Sequence, residues 1–171
     1  NKALYGVLTA DNISTYKDRI VYLPKIDTSN VTSMNKMFYG CYSLVSIPQL
    51  DTANVTNMNK MFQECFSLVS IPQLDTANVT DMSYMFQYCN SLVSIPQLDT
   101  GKVTNNSQTF YYCYSLTHIN LKNAKLAYDL SSARLLSKES LLYLINNEAA
   151  TSAITIKLAS YAYTRLANDA D

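Results

Sequence analysis

The chain has 171 residues, of which 48% are hydrophobic and 15% charged, so it is about one domain long and can bury a core. Its 13 basic and 13 acidic side chains cancel, which excludes a net field that would attract nucleic acid or an anionic membrane. No run approaches the roughly 20 apolar residues of a membrane span. We therefore predict no nucleic-acid partner and no membrane insertion in this segment.

The first residues of the chain are only weakly similar to the repeated segments that begin at Asp27. Residues 1–26 are predicted to form an N-terminal cap and a partial first coil, because Val21–Pro24 is similar to Val69–Pro72. The chain begins without Met and without a basic-then-apolar signal peptide. We expect it to be a mature or trimmed piece of a larger protein.

Residues 27–121 contain four near-copies of one segment. Asp27–Leu50, Asp51–Leu74 and Asp75–Leu98 have 24 residues each, and Asp99–Leu121 is one residue shorter. The second and third copies agree at 19 of 24 positions. Such a fixed period is typical of a solenoid, in which each repeat forms one coil and only stacked neighbours bury a core. Near-identical coils do not easily supply the different residues that a catalytic site needs, so we do not expect an enzyme.

Each copy combines an apolar pattern of helical spacing with a short β-branched segment. In the second copy the helical pattern consists of Met58, Met61, Phe62, Cys65 and Leu68. Leu68–Ile71 then reads as a strand, which Pro72 ends because proline cannot donate to a sheet ladder. We predict one short helix and one short strand per coil, with the strands of stacked coils about 4.8 Å apart.

Residues 122–171 lose the period and are predicted to form a C-terminal cap of helix, strand and helix. Ser137 is a candidate N-cap for a first helix that reaches about Asn147. The apolar face predicted for this helix consists of Leu141, Leu142, Leu144 and Ile145. Ala153–Leu158 alternates as a strand does, and Ser160–Ala167 is predicted as a second helix.

One cysteine recurs in each coil. These are Cys41, Cys65, Cys89 and Cys113. A single column that rises about 4.8 Å per coil would place its ends about 14 Å apart, too far for four ligands of one zinc ion. Adjacent cysteines could reach disulfide distance, but their place on the apolar face favours buried free thiols. Disulfides and a metal site remain the alternatives, and no cofactor is predicted.

His118 is the only histidine, so a catalytic serine or cysteine would have to pair with it. It replaces the serine that the other copies carry at Ser46, Ser70 and Ser94. No coil offers an obvious nucleophile and orienting carboxylate beside it. We therefore predict no catalytic residues.

The copies differ mainly on the side of the predicted helix, where aromatic residues accumulate. These are Tyr39, Tyr42, Phe66, Tyr84, Tyr88, Tyr111, Tyr112 and Tyr114. If they are exposed together, they form an aromatic band across adjacent coils. Tyrosine suits recognition because it offers a large contact area with few rotamers and stacks on sugars as well as on side chains. We predict that this band binds a ligand, although drift at positions without packing constraints would produce the same variation.

The repeated motif resembles the leucine-rich repeats of the BspA-type bacterial surface proteins. It stands here as Asn54-Val55-Thr56-Asn57-Met58, Met61-Phe62, Cys65, Ser67-Leu68, Ile71-Pro72 and Asp75-Thr76. The fourth copy departs from it, with Asn106 and Thr109 in place of the methionines and Asn120 in place of the proline. The tail is similar to segments that follow such repeats in surface proteins and in phage or prophage proteins.

The resemblance implies an α/β repeat fold, a right-handed leucine-rich-repeat solenoid with non-repeat caps. It also implies adhesion or recognition outside the cell, on a bacterial surface or a virion, with no catalytic residues. The expected partner is a protein or a cell-surface glycan, or another virion or surface-protein subunit. The alternative function is a structural spacer or decoration subunit of a phage tail or fibre without its own ligand. Fold-level analogy does not decide between them.

Overall fold

The computed structural model describes residues 17–147 and 156–158 of the chain. Five regular elements lie in this part. They are β1 (Leu98–Asp99), β2 (Leu121–Lys122), β3 (Tyr128–Leu130), α1 (Lys138–Asn147) and β4 (Ile156–Leu158). β1 pairs in parallel with β2, and β3 pairs in parallel with β4. All of these elements lie at or beyond the end of the third copy, so the earlier repeats are held together in another way.

Successive repeats lie side by side with equivalent positions adjacent. Single parallel bridges connect Ser33 to Asn57, Asn57 to Asp81, and Asp81 to Asn105, each over 24 residues. The same offset links Ser70 to Ser94, and Ser94 to His118. The stacking period of the backbone is therefore the period of the sequence. Only at the end of the fourth copy does the offset fall to 23, where Leu98 pairs with Leu121.

The segment predicted as a short helix in each coil is a series of turns. In the second copy, the amides of Lys60, Phe62 and Glu64 donate to carbonyls of the third copy at 2.8–2.9 Å. The amides of Met61 and Cys65 instead close turns on carbonyls three residues earlier, at 3.1 and 3.0 Å. Alternate amides thus bond between repeats and within a repeat. We call the bonds between repeats in this segment the inter-repeat ladder.

The prediction of a helix in each coil is therefore wrong, and the backbone angles show why. Lys60 and Glu64 have φ values of 58° and 64°, in the left-handed region that a right-handed helix excludes. A two-turn helix would gain few internal hydrogen bonds, whereas the inter-repeat ladder satisfies alternate amides along the segment. The right-handed leucine-rich-repeat solenoid and the domain limits at residues 26 and 121 stay predictions.

The predicted apolar face is nevertheless buried and continues from one repeat to the next. Phe38, Phe62, Phe86 and Phe110 form one stack, with centroid distances of 5.4, 5.5 and 5.9 Å between neighbours and planes within 9° of parallel. None of these four side chains is more than 1% exposed. Tyr128 extends the stack, 5.8 Å from Phe110. Each repeat thus completes the core of its neighbours, as offset ring stacking favours.

Buried threonines connect the repeats at a second place. The hydroxyl groups of Thr28, Thr52 and Thr76 donate to the carbonyls of Asp51, Asp75 and Asp99, each at 2.9 Å. These three threonines are 2% exposed. Because a buried hydroxyl without a partner is costly, this contact favours one register between neighbouring repeats.

The helix predicted after Ser137 is confirmed. α1 covers Lys138–Asn147, and the Ser140 amide donates to the Ser137 hydroxyl at 3.2 Å, as expected for an N-cap. Leu141 and Leu144 are buried, as predicted, but Leu142 is 40% exposed. Leu142 lies next to Leu141 on a helix and therefore points about 100° away from it.

α1 lies against the fourth repeat. The Ser137 amide donates to the Thr117 carbonyl at 2.7 Å, and the Ser140 hydroxyl accepts from the Ile119 amide at 3.2 Å. β4 lies within the predicted strand Ala153–Leu158. The remainder of that strand and the predicted helix Ser160–Ala167 lie outside the described residues, as does the larger part of the predicted N-terminal cap.

The left-handed turns give a testable stability difference. Gly40 has φ of 68°, and a Cβ there would have its nearest neighbours at 3.5 Å, so Gly40→Ala adds backbone strain without a clash. We expect Gly40→Ala to lower the free energy of unfolding by about 1 kcal/mol, measured by urea unfolding. Lys36 has φ of 57° and is exposed, so Lys36→Gly is the matched reverse change and should not lower it. A fully stable Gly40→Ala variant would contradict the left-handed turn.

Candidate recognition surface

The eight aromatic residues of the predicted band lie on the turn side of the repeats and separate into groups. The first group contains Tyr39, Tyr42 and Phe66. The Tyr42 and Phe66 rings are stacked, with centroids 5.2 Å apart and planes at 11°. Phe66 is 40% exposed, and the two tyrosines are partly buried. This group lies in the first two repeats.

Two rings of the first group, Tyr39 and Tyr42, contact charged side chains. The Lys17 Nζ atom lies 5.8 Å from the Tyr42 ring centroid and 5.9 Å from that of Tyr39, within cation–π range. The Tyr39 hydroxyl donates to Glu64 Oε1 at 3.2 Å. The negative charge of Glu64 raises the pKa of Tyr39. Tyr39 and Tyr42 therefore already have charged side chains of the same chain as partners.

Tyr84 contacts no other ring of the band among the described residues. The Lys60 Nζ atom of the preceding repeat lies 5.2 Å from the Tyr84 ring centroid. Tyr84 has φ of 59°, and its amide donates to the Ser107 carbonyl at 2.8 Å. Its ring therefore has a cation as partner and not another ring.

The other four residues, Tyr88, Tyr111, Tyr112 and Tyr114, form what we call the tyrosine cluster. The Tyr112 centroid lies 3.9 Å from that of Tyr111, 4.9 Å from that of Tyr88 and 5.3 Å from that of Tyr114. Tyr88 also meets Tyr111 edge to face at 6.2 Å. The cluster thus joins the third and fourth repeats, with Tyr112 at its centre.

Hydrogen bonds fix both the side chains and the backbone of the tyrosine cluster. The Tyr111 hydroxyl donates to the Tyr112 hydroxyl at 3.0 Å, and this bond raises the pKa of Tyr111 to about 12. The Tyr88 amide donates to the Tyr111 carbonyl at 2.9 Å, as part of the inter-repeat ladder. The relative position of the two repeats therefore sets the position of the rings.

Left-handed backbone positions carry two rings of the cluster. Tyr88 and Tyr112 both have φ of 63°. The equivalent position of the first repeat is Gly40, the residue for which this conformation costs least. Glu64 has φ of 64° at the equivalent position of the second repeat, so the left-handed conformation, which costs a non-glycine residue about 1 kcal/mol, belongs to every repeat and not to the cluster alone. The glycine in this column was the signal in the sequence that a turn, and not a helix, was present.

The predicted band is not continuous in its ring contacts. Asn90 takes the position that Phe66 and Tyr114 hold in the neighbouring repeats. The structure thus brings together Tyr42 with Phe66, and separately the tyrosine cluster, but no ring contact joins the two groups among the described residues. The break lies between the second and third repeats.

A polar groove was not singled out from the sequence. It has a volume of about 630 Å³ and is lined by the repeated Gln-Leu-Asp-Thr segment of successive copies. Gln49 and Gln73 Nε2 donate to the carbonyls of Gln73 and Gln97, both at 2.7 Å. The Asp75 carboxylate accepts the Ala77 amide at 3.1 Å. These bonds give the invariance of the segment a structural reason, because its Gln, Asp and Thr side chains each satisfy a backbone group and its Leu is buried.

His118 lines a cleft of about 370 Å³ between the last repeats and α1. Its Nδ1 atom lies 2.7 Å from the Thr117 hydroxyl. Ser140 and Glu139 line the same cleft. The Ser140 hydroxyl is buried and accepts the Ile119 amide, and it lies 3.3 Å from the Ser137 hydroxyl. This serine therefore joins α1 to the fourth repeat.

The four cysteines are free and buried, which is the first of the alternatives considered for them. The thiols of Cys65, Cys89 and Cys113 donate to the carbonyls of phenylalanines in the preceding repeat at 3.0–3.1 Å. Burial raises the pKa of Cys65 and Cys89 well above the usual range, and that of Cys41 and Cys113 to about 12. Within the described ranges, no group of three or more acidic, histidine or cysteine residues could hold a metal ion.

These features can be compared with known proteins. The chain belongs to the DUF285 family, described as a Mycoplasma protein of unknown function, whose profile matches residues 10–125, more than half of the chain. This family is related to the BspA-like surface repeat proteins. No curated protein and no solved structure matches the chain significantly. In the part of the chain that the structure describes, no helix is long and apolar enough to cross a membrane.

Burial of the thiols gives a prediction about their reactivity and its pH dependence. We expect Ellman's reagent to leave the native thiols unmodified at about pH 8 and to titrate all four after unfolding in guanidinium chloride. Burial raises the pKa of these thiols in the folded state. Their contribution to the free energy of unfolding should therefore be fully present below the ordinary thiol pKa of 9.0 and should decrease as the pH rises above it. Rapid modification of the native protein would show that the cysteine column is accessible.

Proposed function

We propose that the chain is a non-catalytic recognition or adhesion module of a bacterial cell surface or a virion. In this proposal its repeats form a right-handed solenoid of the leucine-rich-repeat type, and the tyrosine cluster binds a protein or a glycan. The observation that carries the proposal is the cluster itself, four partly exposed rings gathered on two adjacent repeats. The relation of the DUF285 family to BspA-like surface repeat proteins supports the extracellular location.

The rigidity of the surface supports binding through the tyrosine cluster. Tyr88 and Tyr111 are joined by a backbone hydrogen bond, and Tyr111 and Tyr112 by a hydroxyl bond. The Phe86–Phe110 stack lies in the core of the same two repeats. A surface that is ordered before association loses little conformational freedom on binding, so more of its contact energy appears as affinity.

The accessibility of the rings also favours a functional role for them. Tyr88 and Tyr112 hold positions at which the first repeat has glycine. Tyr112 is partly buried and Tyr114 is 44% exposed, so neither ring is completely used by the core. Aromatic rings that remain accessible on a rigid support are available to contact a ligand.

The test compares binding of variants that share one backbone change. Tyr88→Gly/Tyr112→Gly removes two rings of the cluster at left-handed positions and copies the glycine of the first repeat, so we expect the fold to persist. Tyr84→Gly is the matched control, because Tyr84 is also left-handed but has Lys60 and not the cluster as its partner. The measurement is binding of the fluorescently labelled chain to intact cultured epithelial cells and to intact bacterial cells by flow cytometry.

We expect the wild type and Tyr84→Gly to bind the cells and the double variant to lose at least about tenfold in affinity. Thermal unfolding of all three proteins serves as the control for folding. Equal binding by the folded double variant would rule out the tyrosine cluster. Absence of binding by the wild type to both kinds of cell would contradict the recognition function, and is what a spacer without its own ligand would give.

A further inference from the structure

We propose that the ligand of the tyrosine cluster is a neutral carbohydrate chain, laid across three rings in a row. This inference rests on the proposed recognition function and names its ligand class. Four observations carry it: the order of the rings, the absence of a hollow between them, the small area that they offer, and the hydroxyl groups beside them.

The rings of Tyr88, Tyr112 and Tyr114 follow one another across the cluster. Neighbouring centroids are 4.9 and 5.3 Å apart, and each pair of planes is tilted by 39°. A chain of sugars on this surface would contact several rings at once, with C–H groups against the ring faces. The repeated tilt suits a chain whose successive sugar residues are rotated relative to one another.

The close packing of the rings distinguishes the cluster from a cation-binding cage. A cage needs rings that stand around a central space, because the cation lies within about 6 Å of each ring centroid. Here the Tyr111 and Tyr112 centroids are only 3.9 Å apart, so the rings fill the space between them. Cations do lie over Tyr42 and Tyr84. No lysine or arginine lies over a ring of the tyrosine cluster among the described residues, so the chain's own cations do not compete with a ligand there.

The area of the cluster fits an oligosaccharide better than a folded protein. A tyrosine buries at most about 200 Å², and these four are already partly covered, so together they offer about 300 Å². A stable protein interface buries about 800 Å² on each partner. A protein ligand would need additional surface, whereas a few sugar residues would be covered by the rings alone.

The hydroxyl groups of the cluster supply polar contacts of the kind that sugars need. The Tyr111 hydroxyl donates to that of Tyr112, which leaves the Tyr112 proton free to bond another acceptor. The Tyr114 side chain is among the more exposed aromatic residues of the chain. Ring faces beside hydroxyl donors match the alternation of C–H and O–H groups on a hexose.

The experiment uses the full chain and saturation-transfer NMR with neutral hexamers of glucose, mannose, galactose and N-acetylglucosamine. We expect at least one of them to bind with a dissociation constant of about 1 mM, as a few stacked rings allow. Tyr112→Gly should weaken this binding at least about tenfold, whereas Tyr112→Phe, which keeps the ring, should retain most of it. Tyr84→Gly is the matched control and should bind as the wild type does.

Failure of this inference is distinguishable from failure of the recognition function. If no hexamer binds while the chain binds epithelial cells in a manner that requires Tyr88 and Tyr112, recognition stands and the carbohydrate assignment is overturned. Cell binding that survives periodate oxidation of the cell-surface sugars but is lost after trypsin treatment would also overturn it, in favour of a protein ligand. Equal hexamer binding by wild type and folded Tyr112→Gly would remove the cluster as the sugar site.

Discussion

The inter-repeat ladder is the constraint on which the rest of the structure depends. Alternate amides of each turn segment donate to the next repeat, and the amides between them close turns within their own repeat. This alternation requires residues such as Lys60 and Glu64 to adopt positive φ. It also sets an offset of 24 residues between neighbours, which aligns the phenylalanine stack and the buried threonines. A repeat shifted along its neighbour would lose all three kinds of contact together.

The same constraint determines what the surface can do. Because the backbone of each repeat is bonded to the next, a side chain on the turn side has neighbours 24 residues away. Tyr88 therefore meets Tyr112, whereas Asn90 separates Phe66 from Tyr114. Single substitutions within nearly identical repeats thus decide where rings gather and where they do not. The invariant positions of the repeats form the bonded backbone and the core. The variable positions determine which side chains lie at the surface.

Much of the core was predictable from the sequence, because burial follows the spacing of apolar residues whatever the backbone conformation. Met58, Phe62 and Cys65 are buried as the pattern indicated, and Ser137 caps α1 as its position before a helical pattern suggested. The backbone of the turn segment was not predictable from this spacing, because a stacked series of turns buries the same positions as a two-turn helix. Gly40 was the one residue that pointed to left-handed turns.

The grouping of the aromatic residues was less predictable, since it depends on distances between repeats. The sequence indicated which positions vary, but not that Lys17 and Lys60 would cover Tyr42 and Tyr84. Leu142 was placed on the buried face of α1 because it is apolar, although its neighbours Leu141 and Leu144 already fill that face. In both cases the contacts and the exposure of a side chain depended on which residues lay nearest to it, and not on its own residue type.

Deletion of one complete repeat tests the central claim most directly. Removing Asp51–Leu74 would join Leu50 to Asp75 and let the first repeat bond to the third with every column preserved, so that Gln49 would face Gln97. We expect a folded chain with a single cooperative thermal transition at a lower temperature, since one set of neighbour contacts is lost. Deleting only Asp51–Phe62 would break the register and should abolish the transition. An unfolded chain after deletion of the complete repeat would contradict the account, because equivalent repeats joined by the inter-repeat ladder should stack on one another when one of them is removed.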